Sequence, residues 1–170
     1  TGDEVWSTAA VGNLDDDLEL EIIISSYDGN VYGWNADGTG IRNSNGVFRP
    51  VGGLCKSPPA IDDLDGDLVL EIVATNSYGQ VYVWEGDGTG YLQPNGFFAQ
   101  GSGNMTGSPT LADIDGDGDL EIIVGSTGGD VYVWHHDGTG YLQPDGVFAS
   151  YGGIYGALAV GVVDNNGDME

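Results

Sequence analysis

Positive charge is nearly missing from this chain: three Lys and Arg stand against 27 Asp and Glu in 170 residues, a formal net charge of -24. Such a surface repels phosphate backbones and anionic headgroups, which excludes nucleic-acid binding and adsorption to anionic membranes. Cysteine is as scarce. The single Cys55 has no partner within the chain, so no internal disulfide staples the fold, and only the neighbouring Lys56 would lower its pKa. Long apolar runs are also lacking. The longest, residues 154–163, is too short to cross a bilayer, and no secretory leader is visible, so membrane insertion is not expected. A chain starting at Thr1 reads as a processed product or a piece of something larger. No stretch keeps a helical period, and 31 glycines with six prolines point to many turns and an all-β fold.

What the chain has is repetition. Val31-Tyr32-Gly33-Trp34 through Gly40 returns as Val81 to Gly90 and again as Val131 to Gly140, at a spacing of 50 residues. Glu21, Glu71 and Glu121 keep the same spacing. Ahead of each glutamate lies an acidic loop, most regular in the third copy, where Asp113, Asp115, Asp117, Asp119 and Glu121 place five carboxylates in nine residues at every second position. Two such charges about 4 Å apart repel by about 4 kcal/mol at an effective dielectric near 20. Carboxylates at positions 1, 3, 5 and 9, with a backbone carbonyl at 7, are the donors that a hard, roughly seven-coordinate cation such as Ca²⁺ requires. An acidic solvated turn would explain one isolated copy. Three copies in phase favour the cation, in a structural role.

Within each unit, a first strand (residues 5–14, 57–64 and 108–114) leads into the loop. A short β-branched run, Ile22-Ile23-Ile24, Ile72-Val73-Ala74 or Ile122-Ile123-Val124, follows it as a strand covered on both faces. Turns at Asp28-Gly29, Tyr78-Gly79 and Gly128-Gly129 lead to the Val-Tyr-x-Trp strand, and Asp37-Gly38, Asp87-Gly88 and Asp137-Gly138 close it. Phe48, Phe98 and Phe148 mark a fourth, edge strand. Alternation puts Tyr and Trp on one face and Val on the other, so a single four-stranded meander cannot be stable alone and stacks as a β-propeller blade. The expected units are 1–55, 56–105 and 106–155, with 156–170 beginning a fourth. Three blades and a piece are fewer than a closed ring normally needs.

A strand, Asp-x-Asp-x-Asp-x-x-x-Glu, an apolar strand, a Gly turn and Val-Tyr-x-Trp together resemble the FG-GAP or VCBS-type repeats of integrin α-subunit heads and many secreted bacterial proteins. The resemblance covers nearly the whole chain. It implies a calcium-stabilised propeller, usually seven-bladed, outside the cell, in adhesion, recognition or carbohydrate-associated proteins. It also implies ligand sets: Asp113, Asp115, Asp117, the Asp119 carbonyl and Glu121; Asp63, Asp65, Asp67, the Val69 carbonyl and Glu71; and Asn13, Asp15, Asp17, the Glu19 carbonyl and Glu21. Asn13 offers a neutral oxygen where the other loops have Asp. Leu18 and Leu68 stand where the third loop has Gly118, so a positive φ is harder to reach there. A fourth candidate, Asp164, Asn166, Asp168 and Glu170, has too few charges, with Val162 at the first position.

Other residues carry weaker signals. The Tyr/Trp stripe reads as packing between blades, whereas Tyr27, Tyr78, Tyr91, Tyr141, Tyr151 and Tyr155, near turns, are the exposed candidates for a protein or glycan contact. His135-His136 reads as a solvated turn without a third ligand at zinc spacing. Asn104-Met105-Thr106 is a formal glycosylation sequon. No catalytic signature frames the Ser, His and Asp residues, and the carboxylates converge on one another instead of flanking a sugar. A non-catalytic extracellular scaffold is therefore expected, with the remaining blades of the same polypeptide or neighbouring subunits as partners. Two alternatives stay open: part of a secreted polysaccharide-acting enzyme, since some rhamnogalacturonan lyases use calcium-bearing propellers with similar loops, and a subunit of an extracellular assembly or filament.

Overall fold

The computed structural model describes residues 1–15 and 17–161 and contains, among them, β-strands and turns but no helix. Twelve strands form three four-stranded antiparallel meanders. The first comprises β1 (Ala10–Gly12), β2 (Glu21–Ser25), β3 (Asn30–Trp34) and β4 (Val47–Pro50). The second comprises β5 (Ala60–Asp62), β6 (Glu71–Thr75), β7 (Gln80–Glu85) and β8 (Phe97–Gln100). The third comprises β9 (Thr110–Ala112), β10 (Glu121–Gly125), β11 (Asp130–Trp134) and β12 (Val147–Ser150). The first strands of the units lie side by side, β1 against β5 and β5 against β9, as the inner strands of propeller blades do.

The inner strands are shorter than the apolar pattern suggests, because side-chain hydroxyls replace the ladder upstream of them. Ser7 Oγ donates to Ser25 O at 3.0 Å and accepts from Ser25 N at 3.1 Å, and Ser57 Oγ lies 2.7 Å from Thr75 Oγ1. At the outer edge each blade carries a bulge. Tyr32 pairs with Val47 and Val31 with Arg49, which leaves Phe48 as the extra residue, and Phe98 takes the same place in the second blade. The turn into the edge strand needs glycine: Gly96 has φ of 78°, and a Cβ there would run into the Trp84 indole, whose Nε1 donates to Asn95 O at 3.2 Å.

The core lies between blades. Ile23, Val31 and Phe48 of the first blade pack on Ile72, Ala74 and Trp84 of the second. Val73, Val83 and Phe98 of the second then pack on Ile122, Val124 and Trp134 of the third. Phe48 meets Trp84 edge to face at 6.2 Å, and within each blade Tyr and Trp stack, Tyr132 on Trp134 at 5.1 Å. Two of the three basic residues clasp the neighbouring blade: Arg42 donates to Asp87 O at 2.6 Å, and Arg49 Nε to Gly88 O at 2.6 Å. Faces without a neighbour stay open. Ile22 is 41% exposed where Ile72 and Ile122 are fully buried. At the other end Val131, Val133 and Phe148 line an apolar pocket with Leu158 and Val160.

Candidate functional site

Each acidic loop connects an inner strand to the second strand of its blade, and the closing glutamate is the first residue of that second strand. Strand geometry aims Glu21, Glu71 and Glu121 back at the loop, where they are 1%, 1% and 0% exposed. One oxygen of each is tied down: Oε2 accepts the backbone N–H of Leu14 at 2.7 Å, Leu64 at 2.7 Å and Ile114 at 3.0 Å. Burying a carboxylate this deeply is costly unless it is hydrogen-bonded and charge-compensated.

Aspartates fold each loop around the same centre. Asp63 accepts the Asp67 and Leu68 N–H groups at 3.1 and 2.9 Å, and Asp113 accepts those of Gly116 and Gly118 at 2.6 and 3.1 Å. Asp17, Asp67 and Asp117 accept the N–H of Glu19, Val69 and Asp119 at 2.6, 2.8 and 3.0 Å. The consequence is convergence. Ligand atoms of Asp15, Asp17 and Glu21 lie within 4.8 Å of one another, as do those of Asp63, Asp65 and Glu71, and those of Asp113, Asp115 and Asp117. Each cluster is close enough to hold a metal ion. Asp67 stands outside the second group, and Asn13 turns its amide donor onto Asp17 O. Asp164, Asn166, Asp168 and Glu170 lie outside the described residues.

Three donor atoms at the loops are left over. Asn13 Oδ1, Asn35 Oδ1 and Asp65 Oδ1 are buried without a hydrogen-bond partner. Such atoms are uncommon in folded proteins and fit an oxygen set completed by an ion. The backbone shows the strain expected at the sixth loop residue: Leu68 adopts a φ of 74°, the one positive φ on a non-glycine residue among those described, while Gly118 takes 102° with no Cβ to clash.

The structure adds a position that the repeat pattern does not single out. Strands β6 and β7 pair Glu71 with Glu85, and the same register sets Asn35 opposite Glu21 and His135 opposite Glu121. Burial, opposed by the Leu64 N–H and reinforced by Glu85, pushes the Glu71 carboxyl up to about 8. Glu85 is raised as well, chiefly by burial. His135 is not a solvated turn residue: its Nδ1 lies 3.0 Å from Glu121 Oε1 and 4.0 Å from Asp115 Oδ2. His136 Nδ1 sits 3.1 Å from Asp119 Oδ2. The residue following each Trp was the available signal, because it changes from Asn to Glu to His while its surroundings repeat.

The tyrosines divide. Tyr78, Tyr151 and Tyr155 are 66%, 75% and 73% exposed. Tyr91 is half-buried and donates to Asp65 Oδ2 at 3.0 Å, and Tyr141 packs 5.1 Å from the His135 ring, so both belong to the loop surroundings. Tyr27 is half-buried and stacks on Trp6 at 5.9 Å. Cys55 is inert. It is 1% exposed, and burial raises its thiol to about 12 despite the adjacent Lys56.

The pattern of the FG-GAP-like repeat matches residues 63–124 and 113–170, together more than half of the chain. The chain belongs to the FG-GAP-like repeat family. No curated protein matches it. Among solved structures, the computationally designed Ika4 protein shares 14% identity over 97% of this chain and 83% of its own, with a TM-score of 0.55. BBS1N, solved in complex with ARL6DN and soaked with lead, shares 14% identity over 95% of this FG-GAP-like chain and 48% of its own, with a TM-score of 0.58. At that identity the likeness concerns the fold alone. FG-GAP-like repeats suit an extracellular or recognition scaffold, and no helix among the described residues is long and apolar enough to cross a membrane.

Proposed function

We propose that this chain is a calcium-binding segment of an extracellular β-propeller, a structural and recognition scaffold without catalytic activity of its own. The observation that carries the reading is where the positive charge goes. The whole chain has three basic side chains. Arg42 and Arg49 are bound to the Asp87-Gly88 turn, and Lys56 lies 5.5 Å from the centre of the Tyr27 ring. Three clusters of carboxylates, each built on a buried glutamate, are left for a cation from solution. All-oxygen donor sets in a flexible loop favour Ca²⁺, and extracellular modules of this kind bind it with Kd on the order of 10⁻⁴ to 10⁻³ M.

Asp63, Asp65, Asp67, the Val69 carbonyl and Glu71 would hold the ion in the second loop. Asp113, Asp115, Asp117, the Asp119 carbonyl and Glu121 would do so in the third, and Asn13, Asp15, Asp17, the Glu19 carbonyl and Glu21 in the first. The ion neutralises the cluster and ties an inner strand to its neighbour. Exposed Ile22 at one end and the Phe148 pocket at the other support further blades as partners, from the same polypeptide or a neighbouring subunit. Tyr78, Tyr151 and Tyr155 are the candidate contacts for a protein or glycan. Secretion to a calcium-rich exterior agrees with the charge balance.

Calorimetric titration of the chelator-stripped chain with CaCl₂ tests the reading. Saturable binding that Asp65→Ala weakens is expected, and a flat titration would remove its basis. Assays on pectic polysaccharides are expected to show no turnover. Lyase activity abolished by a mutation within this segment would instead make it part of an enzyme.

A further inference from the structure

The third loop differs from the other two in the donor that faces its glutamate. We propose that Asp115, Glu121 and His135 form a site for a borderline transition-metal ion of the Zn²⁺ or Co²⁺ type, set apart from the all-oxygen loops. The inference rests on the reading of the loops as cation sites and, where such an ion is present, puts it in place of Ca²⁺ in the third loop, because Asp115 and Glu121 are shared by the two ligand sets.

Register creates the site. Pairing of Ile122 with Trp134 brings His135 opposite Glu121, the place held by Asn35 in the first blade and Glu85 in the second. Both carboxylates are half-used by backbone and half-free. Glu121 gives Oε2 to the Ile114 N–H at 3.0 Å and turns Oε1 to the imidazole. Asp115 gives Oδ1 to the Asp117 N–H at 3.2 Å and presents Oδ2 to the same ring nitrogen at 4.0 Å. The three ligand atoms lie within 4.8 Å of one another.

A tetrahedral ion with Zn–N and Zn–O bonds of about 2.0 to 2.2 Å needs ligand atoms about 3.3 to 3.5 Å apart. The separations of 3.0 and 4.0 Å from Nδ1 bracket that value, and the carboxylate oxygens lie within 4.8 Å of one another, so closure needs side-chain shifts and no change of register. Glu121 is fully buried, and the Tyr141 ring packs 5.1 Å from the His135 imidazole, tilted by 43° to it. His135 and Asp115 side chains are 28% and 29% exposed, which leaves an entry path and room for a water as fourth ligand. Ligand softness then selects the ion. An imidazole nitrogen suits zinc, cobalt, nickel or copper, whereas Ca²⁺ and Mg²⁺ take oxygen.

The test titrates the full 170-residue chain with Co²⁺ in excess CaCl₂ and reads the visible d–d absorption, followed by competition with Zn²⁺. One tightly bound equivalent is expected. His135→Asn, which installs the first-blade residue, is expected to weaken it by at least about 10-fold, the lower end of what even outer-shell partners contribute. His136→Asn should leave it unchanged. Asn35→His should add a second equivalent, and it decides the matter if His135→Asn does not fold. Absence of calcium-resistant Co²⁺ binding overturns the proposal. So does a signal that survives His135→Asn or disappears with His136→Asn. Failure of the calcium reading shows separately, as a melting temperature indifferent to calcium alongside intact Co²⁺ binding.

Discussion

The second and third loops share strands, spacing and a buried glutamate hydrogen-bonded to a backbone N–H, yet a carboxylate faces that glutamate in one and an imidazole in the other. In the second loop the Glu71–Glu85 pair sits beside Asp63 and Asp65, so a buried and a half-buried carboxyl crowd together and both are raised. In the third, an imidazole takes the place of the second carboxylate, and burial raises the Glu121 carboxyl while the Ile114 N–H and the imidazole pull it back. One position across a strand pair therefore sets which group faces the buried glutamate of each loop. The first loop opens on neutral Asn13, and neutral Asn35 faces its glutamate.

Removing the anchor from either loop should have the largest effect. Glu71→Ala and Glu121→Ala strand a buried N–H and open a cavity, so each is expected to cost about 2 to 4 kcal/mol in urea titrations with calcium present. Equal losses would show that the anchor works alike in both loops. Glu85→Gln then separates them: it should raise stability by about 1 kcal/mol in chelator, by removing a like charge, and lower it in calcium, by removing a negative charge that faces the bound ion. His135→Asn should show no such inversion. If Glu85→Gln acts with one sign in both conditions, the two loops do not differ as described.

Acidity gives a third contrast. Glu71 in the metal-free chain is raised from 4.5 to about 8, so the folded state holds this proton more tightly than the unfolded state. Its contribution is complete below pH 4.5 and is lost as pH rises toward 8. In chelator the melting temperature should fall across that window, and Glu71→Gln should flatten the fall. The smallest effect concerns the backbone. Leu68→Gly relieves a left-handed leucine and is expected to stabilise by about 1 kcal/mol, whereas Gly118→Ala should cost a similar amount. A neutral Leu68→Gly would mean that the loop relaxes around the leucine.

Most of the architecture is legible in the chain because it repeats. A 50-residue period, two-sided apolar strands and Gly turns lead to β2, β3, β4 and their counterparts, and the Tyr/Trp face meets the preceding blade while the Val face meets the following one, as alternation requires. The inner strands were harder to bound, since Ser7 and Ser57 satisfy backbone or hydroxyl groups where a ladder would otherwise continue. In the loops, the spacing of acids is visible, but what faces them across the sheet is not. The link from Glu71 to Glu85 and from Glu121 to His135 depends on strand register, and Tyr91 reaches Asp65 from a turn 26 residues away. A turn position had marked that tyrosine as exposed, and its hydrogen bond to the loop explains why it is not.

The central claim, that cations hold these blades together, is tested most directly by the thermal melt of the full chain in CaCl₂ and in excess EGTA. The account predicts a melting temperature several degrees lower in chelator, with Asp65→Ala in calcium shifted in the same direction. Identical melts in calcium and EGTA would contradict it.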